Sequence, residues 1–407
     1  MNPPSSLQFR ATILLFDPRV EGHHASWMHY IADDLLSGGY RVVLACDWRP
    51  AARSRLEREF GDTMQRIQVQ PIYNESGKVH SGSMFRALRD FHDQFSADYV
   101  FLCNFNEIAS RLFREAGLGM MPPREFHGKL GGVYHRPTML LKGKFSANQW
   151  LKRTGFRRLA RNGWFSPLFF TDESLLRRLQ SDLPNAELRY LVTPGAGRFD
   201  IPTDVARTRL GIPPKSIPFL FYGGPYRRKG LHLTLSAFEN LPPENPAYLI
   251  CAGDQSQDPD VAQRVKKLES LGRALVIGRY ISSEDELTTL CFCAAEAVLL
   301  PYIHFLTASG VMAQACAAGK AVIASDEGWL GNQVRRFGLG LLIPPNDWPA
   351  LLEAIKQFIA RSDAERSQWH ENAVRYTLGN NRQVFHEQLL AGFSSSATAI
   401  LRTEALR

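Results

Sequence analysis

Several absences narrow the class of this chain before any motif is considered. No run of about 18 apolar residues occurs, so no helix is expected to span a membrane. The opening residues, MNPPSSLQFR, hold no apolar core of the kind a secretory leader needs, and none is expected. Of six cysteines (Cys46, Cys103, Cys251, Cys291, Cys293 and Cys316), only Cys291 and Cys293 lie close together, and no second pair stands at metal-ligand spacing. They read as buried thiols of a reducing compartment, neither disulfides nor a zinc site, which points to a cytoplasmic protein. No nucleic-acid motif accompanies the basic residues, so no nucleic-acid partner is expected. The two halves share no obvious sequence repeat.

What is present is an ordinary globular composition, 44% apolar and 22% charged over 407 residues, long enough for two or three domains. The net charge is +8, and part of it is local. Residues 142–161, KGKFSANQWLKRTGFRRLAR, carry seven Lys or Arg and no acid, with Phe145, Trp150 and Phe156 interleaved. Such a segment suits an anionic membrane surface on the inner face or a polyanionic acceptor, and equally a solvated helix face.

Apolar runs of strand length alternate with helical patterns along the whole chain. ATILLFD at 11–17, a helical pattern through Trp27, Ile31 and Leu35, and YRVVLACD at 40–47 form a βαβ unit. DYVFLCN at 98–104, GGVYHR at 131–136, PLFFTD at 167–172 and LRYLVT at 188–193 continue the series. Residues 194–217, rich in Pro and Gly, read as a linker with a short helical piece. A second series follows: FLFYGG, AYLICAGD at 247–254, RALVIGRY at 273–280, AVLLP at 297–301, KAVIASD at 320–326 and GLLIPP at 340–345. Asp347 then caps a helix with Pro349 in its first turn. The pattern predicts two doubly wound α/β domains, 1–200 and 201–375, and a helical tail, 376–407, packing back toward the first. Ligands of such sheets bind at the carboxyl ends of the strands, which would face a common cleft.

The densest signal is PFLFYGGPYRRKG at 218–230. An apolar strand runs into Gly223 and Gly224, which let the backbone turn and approach a ligand closely. Arg227, Arg228 and Lys229 follow, then Gly230 and an apolar helical run. Strand, glycine turn, cations and helix start make a candidate diphosphate cradle. A plain βα turn bearing a solvated basic patch is the simpler alternative.

The ordered series LGIP, FYGGPYRRKG, CAGD, IGRYISSEDEL, AVLLPY, SGVMAQACAAGKAVIAS and GLGLLIPPND resembles the GT-B glycosyltransferases, specifically the retaining group called glycosyltransferase family 4. The likeness covers nearly the whole chain and is strongest from about 206 to 347. It implies a GT-B fold, two Rossmann-like domains around a central cleft, and transfer of a sugar from a nucleotide-sugar to an acceptor hydroxyl without metal or cofactor. The expected setting is synthesis of a bacterial polysaccharide, glycolipid or other glycan. By the same resemblance Lys229 contacts the donor diphosphate, with Arg228 or Arg227 replacing an arginine whose usual position is Gly224. Tyr280 of IGRY falls on the donor side. The family's paired glutamates fall at Leu306 and Gln314, so both carboxylates are missing. Some branches instead carry an SGV-like helix start, here Ser309, Gly310 and Val311, whose N–H groups favour a phosphate; His304 and Thr307 lie just upstream. In the first half Gly22 takes the glycine position of the donor-facing loop, His23 and His24 are acceptor candidates, and His135 matches a histidine that contacts the transferred sugar. Glu107 is a weaker candidate at the cleft rim. A nucleotide-sugar 2-epimerase of the same fold, or a non-catalytic sugar-nucleotide or glycan binder, are the alternatives; the missing glutamates weigh against the first and for the second.

Overall fold

The structure is a computed structural model that describes residues 9–21, 24–141, 146–195, 197–282 and 285–404, with side chains to residue 393. It divides into two compact units. One comprises residues 1–191 and 385–407, the other 192–384.

The strands of the first unit are β1 (Thr12–Asp17), β2 (Arg41–Cys46), β3 (Gln68–Pro71), β4 (Tyr99–Leu102), β5 (Leu130–Tyr134), β6 (Phe165–Phe170) and β7 (Leu188–Tyr190). Its helices are α1 (His24–Ser37), α2 (Pro50–Phe60), α3 (Met84–Phe95), α4 (Asn106–Gly117), α5 (Ala147–Arg161) and α6 (Glu173–Asp182). All strand pairs are parallel, in the order β3-β2-β1-β4-β5-β6-β7. Strands covered by helices on both faces are apolar throughout, and β4, β5 and β6 are buried at every position.

The second unit opens with α7 (Thr203–Arg209) and β8 (Ile217–Tyr222), followed by α8 (Leu231–Glu239), β9 (Ala247–Ala252), α9 (Pro259–Ser270), β10 (Ala274–Ile277) and α10 (Glu286–Ala294). Then come β11 (Ala297–Leu300), α11 (Gly310–Ala317), β12 (Ala321–Ser325), α12 (Gly328–Phe337), β13 (Gly340–Ile343), α13 (Trp348–Ala360), α14 (Asp363–Leu378) and α15 (Arg382–Glu404). Its sheet is also parallel, ordered β10-β9-β8-β11-β12-β13. Asp347 does cap α13, accepting from Ala350 N at 2.8 Å.

From Phe385 onward α15 belongs to the first unit. Phe385, Leu389 and Phe393, four residues apart on one helix face, are fully buried. Phe385 meets the edge of Trp27 at 5.3 Å between ring centres, and Phe393 packs against Tyr40, Tyr99 and Phe101 at 5.5–5.7 Å.

Four sequence expectations need correction. The division falls between Leu191 and Val192, not at 200/201, and the return to the first unit comes at Phe385, not at 376. Residues 194–217 are no linker: Ala206 and Ile212 are buried in the second unit's core, and Arg207 bonds Ala294 O and Glu296. Strand β3 has no apolar run to reveal it, being a half-exposed edge of sequence QVQP. In the basic segment Phe156 is fully buried, so it is a core residue and no surface aromatic, while Trp150 is 64% exposed; Phe145 and the first two lysines lie outside the described residues. All six cysteines are buried free thiols. Among the described residues no helix is long and apolar enough to cross a membrane.

Candidate functional site

Each sheet reverses its winding once, between β1 and β4 in the first unit and between β8 and β11 in the second. Loops leaving neighbouring strands toward opposite faces at such a point open a crevice at their carboxyl ends. In the second unit β8 and β11 pair only at Phe219↔Ala297 and Leu220↔Val298, after which each runs on without the other. The two loops that emerge there are the glycine–cation turn after β8 and residues 301–309 after β11.

The first of these loops is held by backbone contacts that glycine permits. Gly223 has φ 133°, and a side chain on Gly230 (φ 74°) would run into Pro301 O at 2.0 Å. Ile303 N donates to Arg228 O at 2.8 Å, tying the two loops together. Arg227, Arg228 and Lys229 form a single short turn. Lys229 Nζ donates weakly to Tyr222 O at 3.4 Å and sits 5.9 Å from the centre of the Tyr302 ring. Arg228 lies over Tyr226 and Phe305, at 5.7 and 5.5 Å. Among the described residues no carboxylate is within ion-pair distance of Arg227, Arg228 or Lys229. Burial, with Arg228 adding repulsion, pushes the Lys229 ammonium down to about 8. A desolvated cation with a second cation beside it gains by meeting an anion.

Opposite, Ser309 caps α11, its hydroxyl accepting from Met312 N at 3.2 Å. Gly310 is exposed with open space around it, and Val311 is buried. Gln314 is buried and its amide bonds no other described residue. Burial pushes the Tyr302 hydroxyl up to about 12, against the smaller effect of a hydrogen bond with Ser309. The Tyr302 and Phe305 rings meet at 4.8 Å, so the segment from 302 to 309 links the cations to the start of α11. His304 has φ 50° and an exposed ring, its Nδ1 3.4 Å from Glu327 Oε1. Thr307 is half-buried in the same loop. Tyr280, half exposed, follows β10 across β9 from this loop pair.

The first unit's crevice is lined differently. Asp17, ending β1, is buried and bonds His24 Nδ1 through both oxygens, at 2.9 and 3.1 Å. Burial raises its carboxyl above the usual range, opposed by the His24 bond. Glu107, in the first turn of α4, pairs with Arg19 at 3.2 Å, and burial raises its carboxyl as well. His135, just past β5, donates from Nε2 to Cys103 O at 3.1 Å and packs edge-on to Trp27. Burial pushes its imidazole down to about 3, which favours the neutral ring near pH 7. Gly22 and His23 lie outside the described residues.

Sequence reasoning missed two members of these sites. Asp17 is an ordinary strand-end aspartate until the fold sets it against His24. Glu327 lies in a polar turn, SDEG, with no marker in sequence; its contact with the loop at 301–309 appears only in the packing. Among the described residues no His, Cys, Asp and Glu side chains gather into a metal-holding group.

Comparison with known proteins bears on this arrangement. Residues 203–376 match the family model of glycosyl transferases group 1. Over 212 residues, 48% of this chain, the sequence is 31% identical to D-inositol 3-phosphate glycosyltransferase of Corynebacterium urealyticum. The chain spans about half the length of that curated relative, 47%. Among solved structures it is similar to a glycosyltransferase from Rickettsia africae, with a TM-score of 0.68 at 15% identity over 95% of this chain and 98% of that one. Anabaena HepE in complex with UDP-glucose gives a TM-score of 0.66 at 15% identity, over 95% and 100% of the two chains. WaaG, a glycosyltransferase involved in lipopolysaccharide biosynthesis, gives 0.64 at 15% identity over 93% and 98%. The fold is therefore the two-sheet α/β architecture of the GT-B glycosyltransferases.

Proposed function

We propose that this chain, whose second unit carries the group 1 glycosyltransferase segment, transfers a sugar from a nucleotide-sugar donor to an acceptor hydroxyl. One observation carries the reading. Lys229 and Arg228 stand without carboxylate partners on a glycine turn at the point where the second sheet reverses, tied to the loop that leads into α11. A diphosphate answers that unbalanced charge, and the N–H groups opening α11 add to it. HepE, similar in fold, binds UDP-glucose.

In the reaction the bond between the anomeric carbon and the diphosphate oxygen breaks, and the acceptor oxygen bonds that carbon. Negative charge grows on the leaving diphosphate. Lys229, Arg228 and the start of α11 stabilise it there more than in the ground state, which is what lowers the barrier. The acceptor proton passes to the leaving diphosphate, on the same face, so the anomeric configuration is retained as the family resemblance implies. No protein nucleophile, metal or cofactor enters this scheme. We assign the acceptor to the first unit, where paired groups such as Asp17 with His24 suit neutral hydroxyls. A thermal-shift panel of UDP-, GDP-, ADP- and dTDP-sugars tests the donor, since a bound ligand stabilises by RT ln(1 + [L]/Kd). One base should raise the melting temperature; no shift with any of the four would remove the donor reading.

An anionic membrane surface is the further partner we propose. Trp150 on α5 stands out 64% exposed, and Leu118, Met120 and Met121 protrude from the loop after α4. The two elements adjoin, for a side chain on Gly119 would lie 3.6 Å from Arg158. Apolar tips beside the basic helix α5 match a headgroup layer. Trp150→Ala with Leu118→Ser should reduce co-sedimentation with vesicles containing phosphatidylglycerol by several-fold; equal binding before and after would sink the idea.

A further inference from the structure

The turn between β12 and α12 contains an unusual concentration of unpaired polar atoms. Ser325 Oγ, Glu327 Oε2 and Trp329 Nε1 are each buried with no hydrogen-bond partner among the described residues. Leaving such a group unpaired forfeits its hydration with nothing in return, and folded proteins pair the large majority of them. Three within five successive residues is not what a purely structural turn needs.

The neighbouring loop is strained at the same place. His304 occupies the left-handed region at φ 50° with its ring 87% exposed, and its Nδ1 is a long 3.4 Å from Glu327 Oε1. A residue held in that region without glycine's freedom signals a position fixed for another reason. Contact between turn and loop is direct. A side chain on Gly328 would lie 2.6 Å from Leu306 Cα, and Trp329 N donates to Leu306 O at 3.4 Å. Through Phe305 under Arg228 and Tyr302 beside Lys229, this loop is continuous with the cation turn.

Glu327 therefore carries a carboxylate with one unpaired oxygen and one weakly bonded oxygen, beside Leu306, on the loop that also meets the diphosphate cations. An ionised carboxylate only accepts, so its natural partners here are O–H donors. Rotation about its side-chain bonds exchanges an unpaired buried oxygen for a charge-assisted hydrogen bond, roughly twice as strong as a neutral one. We infer that Glu327 reads a hydroxyl of the bound sugar nucleotide, the work that Leu306 and Gln314 cannot do with charge. This rests on the donor reading above. Glu327 also stands at the start of α12 without capping it through its side chain. A role confined to that helix dipole would change stability and leave ligand selectivity alone.

The test uses the full chain and its Glu327→Gln and Lys229→Ala variants. Calorimetry measures affinity for UDP-glucose, GDP-mannose, ADP-glucose and dTDP-glucose, and for the matching free diphosphates. Expected for Glu327→Gln is a loss of about ten- to a hundredfold on the preferred sugar nucleotide and under about twofold on its free diphosphate. Equal losses on both would also support the inference and place the hydroxyl on the ribose. Unchanged affinity for both, with Lys229→Ala still weakening both, would overturn the role of Glu327 and leave the donor reading standing. A wild-type chain that binds none of the probes would overturn the two together.

Discussion

Around β1 the crevice is lined by Asp17 and Glu107, each matched to a partner, His24 and Arg19. Around β8 the same topological position holds Arg227, Arg228 and Lys229, none matched to a carboxylate among the described residues. The architecture is shared, so it explains where both sites lie and nothing of what they do. The difference lies in charge balance. Compensated polar groups suit neutral hydroxyls, whereas uncompensated cations, Lys229 the most buried of the three, suit a polyanion. On the proposed reading, the two units divide acceptor from donor by electrostatics rather than by shape.

The sharpest way to break this comparison is to remove the excess charge. Lys229→Ala should lower transfer by about ten- to a thousandfold, as for loss of a transition-state charge partner, with weaker donor binding; an unchanged rate would end the phosphate role. Next in size is Asp17→Asn, which keeps the shape of the first crevice and weakens the bond that orients His24. Steady-state kinetics should show kcat/KM for the acceptor down about tenfold and donor affinity unchanged. A matching loss of donor affinity would show that the two crevices do not divide the substrates. The smallest effect is one of pH. In the free protein Lys229 loses its proton around 8, while a bound diphosphate favours the charged form. Donor affinity should hold below pH 7 and decline above 8 by at most about tenfold per unit, with Lys229→Met weak and flat. Folding responds with the opposite sign. The unfolded lysine keeps its proton to about 10.5, so between 8 and 10.5 the unfolded chain binds more protons and rising pH favours the fold.

How much of this was legible in the sequence depended on whether a residue's role is local. Twelve of the thirteen strands are apolar enough to stand out, the partly exposed edges β7, β10 and β13 among them; QVQP at 68–71, polar as well as half-exposed, does not. Gly223, Lys229 and Ser309 stand out because turn geometry, charge and capping are properties of short segments. Asp17 with His24, and Glu327 beside Leu306, are contacts made by tertiary packing, and each residue alone looks unremarkable. The Pro- and Gly-rich stretch at 194–217 misled for a related reason. Its composition suggested a tether, while Ala206 and Ile212 carry enough apolar surface to dock it.

The last helix has a consequence for the order in which the molecule can be made. The first unit's sheet is complete by Tyr190, but Phe385, Leu389 and Phe393 fill the ground between Trp27, Tyr40, Tyr99 and Phe101. At a ribosome adding about 5–20 residues per second, the wait between those events is roughly 10–40 s. For that interval an aromatic seam lies open while the whole second unit emerges. The part synthesised first is finished last, and a nascent chain stalled before Phe385 presents that seam to chaperones and to its neighbours on the polysome.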